Sequence, residues 1–180
     1  MDQEFETHVL EINEEEIANK LRKLGAKEDS EVFQKRWVFN IGNTGESCKG
    51  EWIRLRQVGD KTELTYKNKS GKGMSETEEI EVEVSDFEKT AKLLSKLNCN
   101  GLYYQENKRR MFKLDGIEFT IDSWPMIPTY LEVEADNEEK VKEGIKLLGL
   151  EGKDSGHLGT LTIYKKYGID LHSIKELKFE

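Results

Sequence analysis

The chain has 180 residues, 36% of them hydrophobic and 36% charged, with a formal net charge of −8; that length predicts one domain over residues 1–180. No run of about 18 apolar residues occurs and no apolar segment follows the N-terminus, which excludes a helical membrane protein and predicts a cytoplasmic chain with no membrane partner. The acidic surplus excludes nucleic acid as an expected partner, and three Trp, six Tyr and seven Phe argue for a packed core rather than disorder.

Phe5–Leu10 reads as a strand. Asn13 and Glu16 make a capping box, Ile17, Leu21 and Leu24 follow at helical spacing, and Gly25 closes that helix. Strands are predicted at 32–40, 50–58 and 61–69, the last two joined at Gly59-Asp60. Gly71 and Gly73 mark a loop that lacks the P-loop spacing. A strand at 76–84 precedes a second helix, capped by Ser85 with Glu88 and carrying Phe87, Ala91 and Leu94 on its apolar face. Residues 102–114 and 116–122 form a hairpin about Asp115-Gly116, a strong turn signal. The 123–129 segment, with both prolines, reads as a rigid crossover. A strand at 130–135 and a helix at 137–148 follow. A short helix is predicted from Asp154-Ser155 through Ile163 and Tyr164. The tight turns predict an antiparallel sheet with helices outside it.

Side chains alternate across a strand. Glu4, Glu6 and His8 oppose Phe5, Thr7 and Val9. Arg54 and Arg56 oppose Ile53 and Leu55. Lys67 and Lys69 oppose Leu64 and Tyr66. Glu79, Glu81 and Glu83 oppose Ile80, Val82 and Val84. Glu118 and Asp122 oppose Ile117, Phe119 and Ile121. Glu132 and Glu134 oppose Leu131 and Val133, and Lys108 and Arg110 share one parity. Each strand thus has an apolar face and an ionised one, although acidic residues are depleted in ordinary strands.

Burying a dozen such groups dry would cost several kcal/mol each, more than a typical folding stability of about 5–15 kcal/mol. The ionised face must therefore be wet or filled by compensating ions. A closed or strongly curved sheet with helices outside places it in a water-filled bore. Carboxylate clusters suit Mg2+ or Mn2+, and paired Arg and Lys suit phosphate oxygens. Together they describe a site for a metal-bound polyphosphate.

These residues resemble the CYTH superfamily, the triphosphate tunnel metalloenzymes, which groups class IV adenylate cyclases with thiamine and inorganic triphosphatases. The opening E-x-E-x-K motif is similar to Glu4-Phe5-Glu6-Thr7-His8, the R-x-R element to Arg54-Leu55-Arg56, and a strand lysine to Lys67. An E-x-E strand is similar to Glu79-Ile80-Glu81, the K-x-R element to Lys108-Arg109-Arg110, and the late acidic positions to Asp122 and Glu132-Val133-Glu134. The resemblance implies an α+β fold, a closed antiparallel eight-stranded β-barrel (tunnel) with helices packed outside. It implies Mg2+ or Mn2+ held by Glu4, Glu6, Asp122, Glu132 and Glu134. Arg54, Arg56, Lys67, Lys69, Lys108 and Arg110 would hold phosphate, with Glu79 and Glu81 orienting those bases or binding a second metal. Glu4, Glu6, His8 and Lys67 would carry catalysis. The expected activity is hydrolysis of tripolyphosphate, ATP or thiamine triphosphate. Cyclisation of ATP and non-catalytic triphosphate binding are the alternatives, and a homodimer is compatible with the family.

His8 departs from the motif, standing where the family has lysine. A neutral imidazole carries no permanent charge, although acidic neighbours favour its protonated form; it can touch phosphate or ligate a metal. The cyclases also share a His-Phe pair ahead of the opening motif. Met1 stands too close to Glu4 for that pair, which favours hydrolysis. Trp37 and Trp52 read as packing residues and His157 as a solvated loop histidine. Cys48 and Cys99 read as isolated thiols without zinc spacing.

Overall fold

The computed structural model describes residues 5–41, 51–69, 77–97 and 99–180. Glu4, Cys48, the expected Gly71 and Gly73 loop and the Lys69 side chain lie outside what it describes. Among the described residues the elements run β1 (Phe5–Val9), α1 (Glu14–Lys23), β2 (Lys27–Glu28), β3 (Val32–Asn40), β4 (Glu51–Val58), β5 (Lys61–Lys69), β6 (Thr77–Val84), α2 (Phe87–Lys96), β7 (Asn100–Leu114), β8 (Ile117–Ser123), β9 (Tyr130–Ala135), α3 (Glu138–Leu147), α4 (Thr160–Lys166) and β10 (Glu176–Leu177). The chain forms two compact units, Met1–Val32 with Asn107–Leu171 and Phe33–Glu106 with His172–Glu180. Strand β7 contributes residues to both.

In the first unit the strands run in the order β1-β9-β8-β7, with β2 on β7, and all these ladders are antiparallel. The β7–β8 hairpin turns at Asp115-Gly116, both with positive φ (50° and 79°). That is the geometry of a tight two-residue turn, and it sets Leu114 opposite Ile117. The apolar parity, with Phe112, Ile117, Phe119, Ile121, Leu131 and Val133, is fully covered. Helix α1 packs there through Ile17, Ala18 and Leu21, and α3 through Val141 and Ile145. Each of these buried side chains larger than Ala18 contributes about 1.5–3 kcal/mol. Asn13 caps α1 by accepting from the Glu16 N–H (3.0 Å), while the Glu16 carboxylate turns to Lys20 instead of closing the box.

Helix α3 approaches the sheet at Gly144. A Cβ there would stand 2.9 Å from Val133, 3.1 Å from Ile117 and 3.2 Å from Phe119. Alanine gains about 1 kcal/mol of helix propensity over glycine, but overpacking costs about 1–3 kcal/mol. These three neighbours are buried core residues with little room to yield, so Gly144→Ala is expected to lower stability by about 1 kcal/mol in urea unfolding. A gain in stability would show a looser α3 contact than the structure draws.

The second unit orders its strands β7-β3-β4-β5-β6, with β10 beside β7 in a short parallel contact. Helix α2 covers part of the apolar parity, bringing Phe87 and Leu94 onto Phe39 and Leu55, flanked by Trp37, Ile53, Leu64 and Tyr104, while Ile80 and Val82 of β6 stay exposed. Its N-cap is Asp86, one residue beyond the expected Ser85, because the Asp86 carboxylate accepts from the Lys89 N–H at 2.8 Å. Trp37 packs as expected, 5.2 Å from the Tyr104 ring. Trp52, by its register against Asn40 and Lys67, lies partly buried in the row of Arg54 and Arg56.

The short helix of the first unit begins at Thr160, not at Asp154-Ser155. The intervening chain is spent on β1: the Ser155 N–H donates to the His8 carbonyl (2.7 Å), and the His8 N–H donates to the Gly156 carbonyl (3.2 Å). The 124–128 segment is the rigid crossover expected, with Trp124 edge-on to Tyr164 and the Tyr164 hydroxyl donating to the Pro125 carbonyl at 2.7 Å. Among the described residues no helix is long and apolar enough to cross a membrane.

Candidate functional site

The ionised parity of the first unit gathers Glu6 and His8 from β1, Glu132 and Glu134 from β9, Asp122 from β8 and Arg109 from β7. Pairing in register sets Glu6 opposite Glu134, His8 opposite Glu132 and Arg109 opposite Asp122. His8 is 2% exposed. Its Nε2 lies 3.2 Å from a Glu132 oxygen. Its Nδ1 lies 3.3 Å from the Gly156 carbonyl and 3.2 Å from the Leu158 N–H. Only one of those two contacts is satisfied at a time, since Nδ1 either bears a proton or accepts one. Burial by itself lowers the His8 pKa, but the Glu132 and Glu6 carboxylates and the Gly156 carbonyl outweigh it and raise it above the usual imidazole value. Glu132 moves the other way: burial opposes ionisation, and His8 and Arg109 override it and hold the carboxyl below its ordinary range.

Asp122 is fully buried. Its carboxyl is pushed up to about 6 by burial and by Glu132, against the pull of Arg109 and the Asn107 amide. Arg109 Nε donates to Asp122 Oδ1 (3.0 Å), as does Asn107 Nδ2 (3.2 Å). Arg109 Nη2 stands 2.9 Å from Asp122 Oδ2 without hydrogen-bond alignment, and 3.5 Å from Glu132. The Tyr130 hydroxyl is pushed up by burial and by the same two carboxylates. One ligand atom each from Glu6, His8 and Glu132 lies within 4.8 Å of the others, and this donor set fits a divalent cation. Asp122 is not part of that group; its Oδ1 accepts from Arg109 and Asn107, and its Oδ2 faces Arg109 without a hydrogen bond.

The ionised parity of the second unit is a ladder of opposite charges. Arg56 donates through Nε (3.1 Å) and Nη2 (2.7 Å) to one Glu63 oxygen. Lys67 donates to Glu79 at 2.5 Å. Arg54 Nη2 approaches Thr65 Oγ1 (3.5 Å) and Glu81 (3.8 Å), and the Thr65 hydroxyl donates to Glu81 at 2.9 Å. Arg54 Nε is buried with no hydrogen-bond partner among the described residues. Burial and then the neighbouring Arg56 lower the Arg54 pKa, with Glu79, Glu81 and Glu63 pulling it back. Arg36 donates to Gln105 at 2.8 Å in the same row.

The CYTH domain family model matches residues 2–157. The chain belongs to the CYTH domain family. A protein of Methanocaldococcus jannaschii with the provisional name adenylate cyclase is 30% identical over 143 residues, 77% of this chain and 82% of its own length. A conserved hypothetical protein of Pyrococcus furiosus superposes with a TM-score of 0.69 at 24% identity, covering 89% of this chain and 100% of that one. A provisional adenylyl cyclase of Hippeastrum, described as having a dominant triphosphatase activity, superposes at 0.59 with 16% identity over 92% of this chain and 96% of that one. The fold is thus the antiparallel α+β tunnel fold of CYTH structures.

Against the CYTH motifs, the structure keeps Glu6, His8, Glu132 and Glu134 on one parity, and Arg54, Arg56, Lys67, Glu79 and Glu81 on another. It corrects the K-x-R reading. Arg110 lies on the helix-covered side of β7: its guanidinium donates to Glu28 (2.7 Å), Glu15 (2.9 Å) and Glu14 (3.4 Å) and sits 5.6 Å from the Phe112 ring centre. Lys108, pairing with Ser123, shares that parity. Arg109 is the cation on the acidic side. The sequence held this signal: a two-residue turn at Asp115-Gly116 pairs residues symmetrically about itself, which sets position 109 against Asp122. His157 was also missed, and its Nδ1 meets a Glu6 oxygen. Nothing in the local sequence marks that contact, which depends on where the 155–156 segment docks on β1.

Proposed function

We propose that the chain is a divalent-metal-dependent triphosphatase acting on inorganic or organic triphosphate. The observation that carries this reading is Arg54, a half-buried guanidinium whose covered Nε has no acceptor among the described residues, in a row with Arg56 and Lys67. A buried N–H without an acceptor costs about 1–3 kcal/mol, and a phosphate oxygen would satisfy it with a charge-assisted bond. Glu63, Glu79 and Glu81 pair with the three cations, which helps to order their side chains before an anion arrives. Glu6, His8 and Glu132 would hold the metal. When bound, a divalent cation neutralises the charge that develops on a transferring phosphoryl group. Catalysis is then mostly positioning and charge stabilisation.

The name of the Methanocaldococcus relative favours a second reading, formation of cyclic AMP from ATP. The triphosphatase activity ascribed to the Hippeastrum protein favours hydrolysis. Phosphate and cyclic AMP should be measured together on tripolyphosphate, ATP and thiamine triphosphate, with Mg2+ and with Mn2+. Metal-dependent phosphate release is expected, and Arg54→Gln is expected to weaken triphosphate binding about 10- to 100-fold with an unchanged circular-dichroism spectrum. Cyclic AMP as the main product would establish the second reading. Binding without either product would make the chain a triphosphate-binding module.

A further inference from the structure

Glu6 and His8 are two residues apart on β1, so their side chains leave the same face. Glu132 lies directly across from His8. His157 reaches the same place from a distant segment, with its Nδ1 on Glu6 and its ring 6.1 Å from that of His8. Ligand atoms of Glu6, His8 and Glu132 thus lie within 4.8 Å of one another, and His157 joins the group through Glu6. Mg2+ takes oxygen ligands, keeps several waters and gains little from imidazole. Zn2+ and its first-row neighbours take imidazole nitrogen and carboxylate oxygen together.

The surroundings of His8 suit a ligand. With its proton on Nδ1 the ring donates to the Gly156 carbonyl, at 3.3 Å, in place of accepting from the Leu158 N–H, and leaves the Nε2 lone pair on the side of Glu132. A backbone acceptor on the far nitrogen is how ligating histidines are oriented. That carbonyl is held in place by β1 itself, because it also accepts from the His8 backbone N–H. His8 is buried, whereas the His157 side chain is 58% exposed, so the set is closed at one side and open to entry at the other.

We propose that Glu6, His8 and Glu132, with His157 on the solvent side, form a mixed nitrogen–oxygen site for a transition-metal dication of the Zn2+ class in preference to Mg2+. This metal class takes its catalytic meaning from the triphosphatase reading above and rests on it to that extent, but the binding stands by itself.

The test uses the untagged full chain with its two thiols alkylated. Zn2+ and Mg2+ binding are read by titration calorimetry, and Co2+ by its visible absorption. We expect one Zn2+ per chain, not displaced by a roughly 1000-fold excess of Mg2+, and a Co2+ spectrum of low coordination number. His8→Gln is expected to weaken Zn2+ binding by at least about 100-fold while leaving Mg2+ binding within about threefold. Should His8→Gln fail to fold, His157→Ala, at an exposed position, is expected to weaken Zn2+ about 10-fold. His172→Ala, in the other unit, is expected to leave Zn2+ binding intact. Displacement of Zn2+ by comparable Mg2+, or Zn2+ affinity unchanged in both His8→Gln and His157→Ala, would overturn the proposal. Tight Zn2+ binding without phosphate release would support this site and defeat the triphosphatase reading. Mg2+-driven phosphate release without tight Zn2+ binding would do the reverse.

Discussion

Arg109→Met is expected to lower stability by about 3–5 kcal/mol, the cost of leaving buried charge without its partner. Asp122 has no exposed side-chain surface and Glu132 has 13%, and both lose their guanidinium in this variant. Arg110→Gln removes more ion pairs by count but should cost only about 1 kcal/mol. Its partners Glu14, Glu15 and Glu28 have side chains 33%, 67% and 29% exposed, so water takes over from the guanidinium. Urea unfolding at neutral pH separates the two. Adding Asp122→Asn to Arg109→Met should recover part of the loss, because the two sites share one interaction and do not add. If Arg110→Gln proved the more damaging of the pair, the assignment of Arg109 to the acidic parity would fail.

Most of the architecture was legible because most strands alternate cleanly. In β1, β4, β5, β8 and β9 a single apolar parity leaves no choice of face, and all five begin and end within a residue of where alternation puts them. Strand β7 was not legible by that route. Lys108-Arg109-Arg110 is a run of three cations, and both parities of a run look alike; only its partner strand decides. The partner was readable through the Asp115-Gly116 turn, so composition misleads at the one place where register decides the face. The two-residue strands β2 and β10 carry no period at all. His157 belongs to a third kind of miss. Gly156 has φ +71° and Gly152 +74°, and such a path of left-handed turns brings a loop back to a strand without leaving any pattern in which residues it will meet. The site thus mixes groups fixed by strand alternation with one fixed by tertiary docking, and only the former can be read from a single sequence.

The same buried groups set a pH dependence of stability whose sign follows from the directions of their shifts. His8 has a folded pKa above its unfolded value of 6.5. Its contribution is therefore complete below about 6.5 and is lost as pH rises through the folded value. Asp122, raised from 3.8 to about 6, works in the same sense: its contribution is complete below about 4 and is lost as pH rises through about 6. Glu132 and Glu28 have lowered values, so their contributions are present above about 4.5 and fade as pH falls. These opposed trends place maximum stability near pH 5, with a loss of order 2 kcal/mol by pH 8. Asp122→Asn should flatten the profile between about pH 4 and 6, and His8→Gln should flatten it above about 6.5. His8, Glu132, Arg109 and Asp122 touch in sequence, so they titrate as one coupled set. The double variant should accordingly change the profile by less than the two singles combined. Urea midpoints measured across this range test all three expectations. A stability that climbs steadily from pH 5 to pH 8 would mean that Asp122 is ionised at little cost throughout, with Arg109 compensating it fully despite its burial.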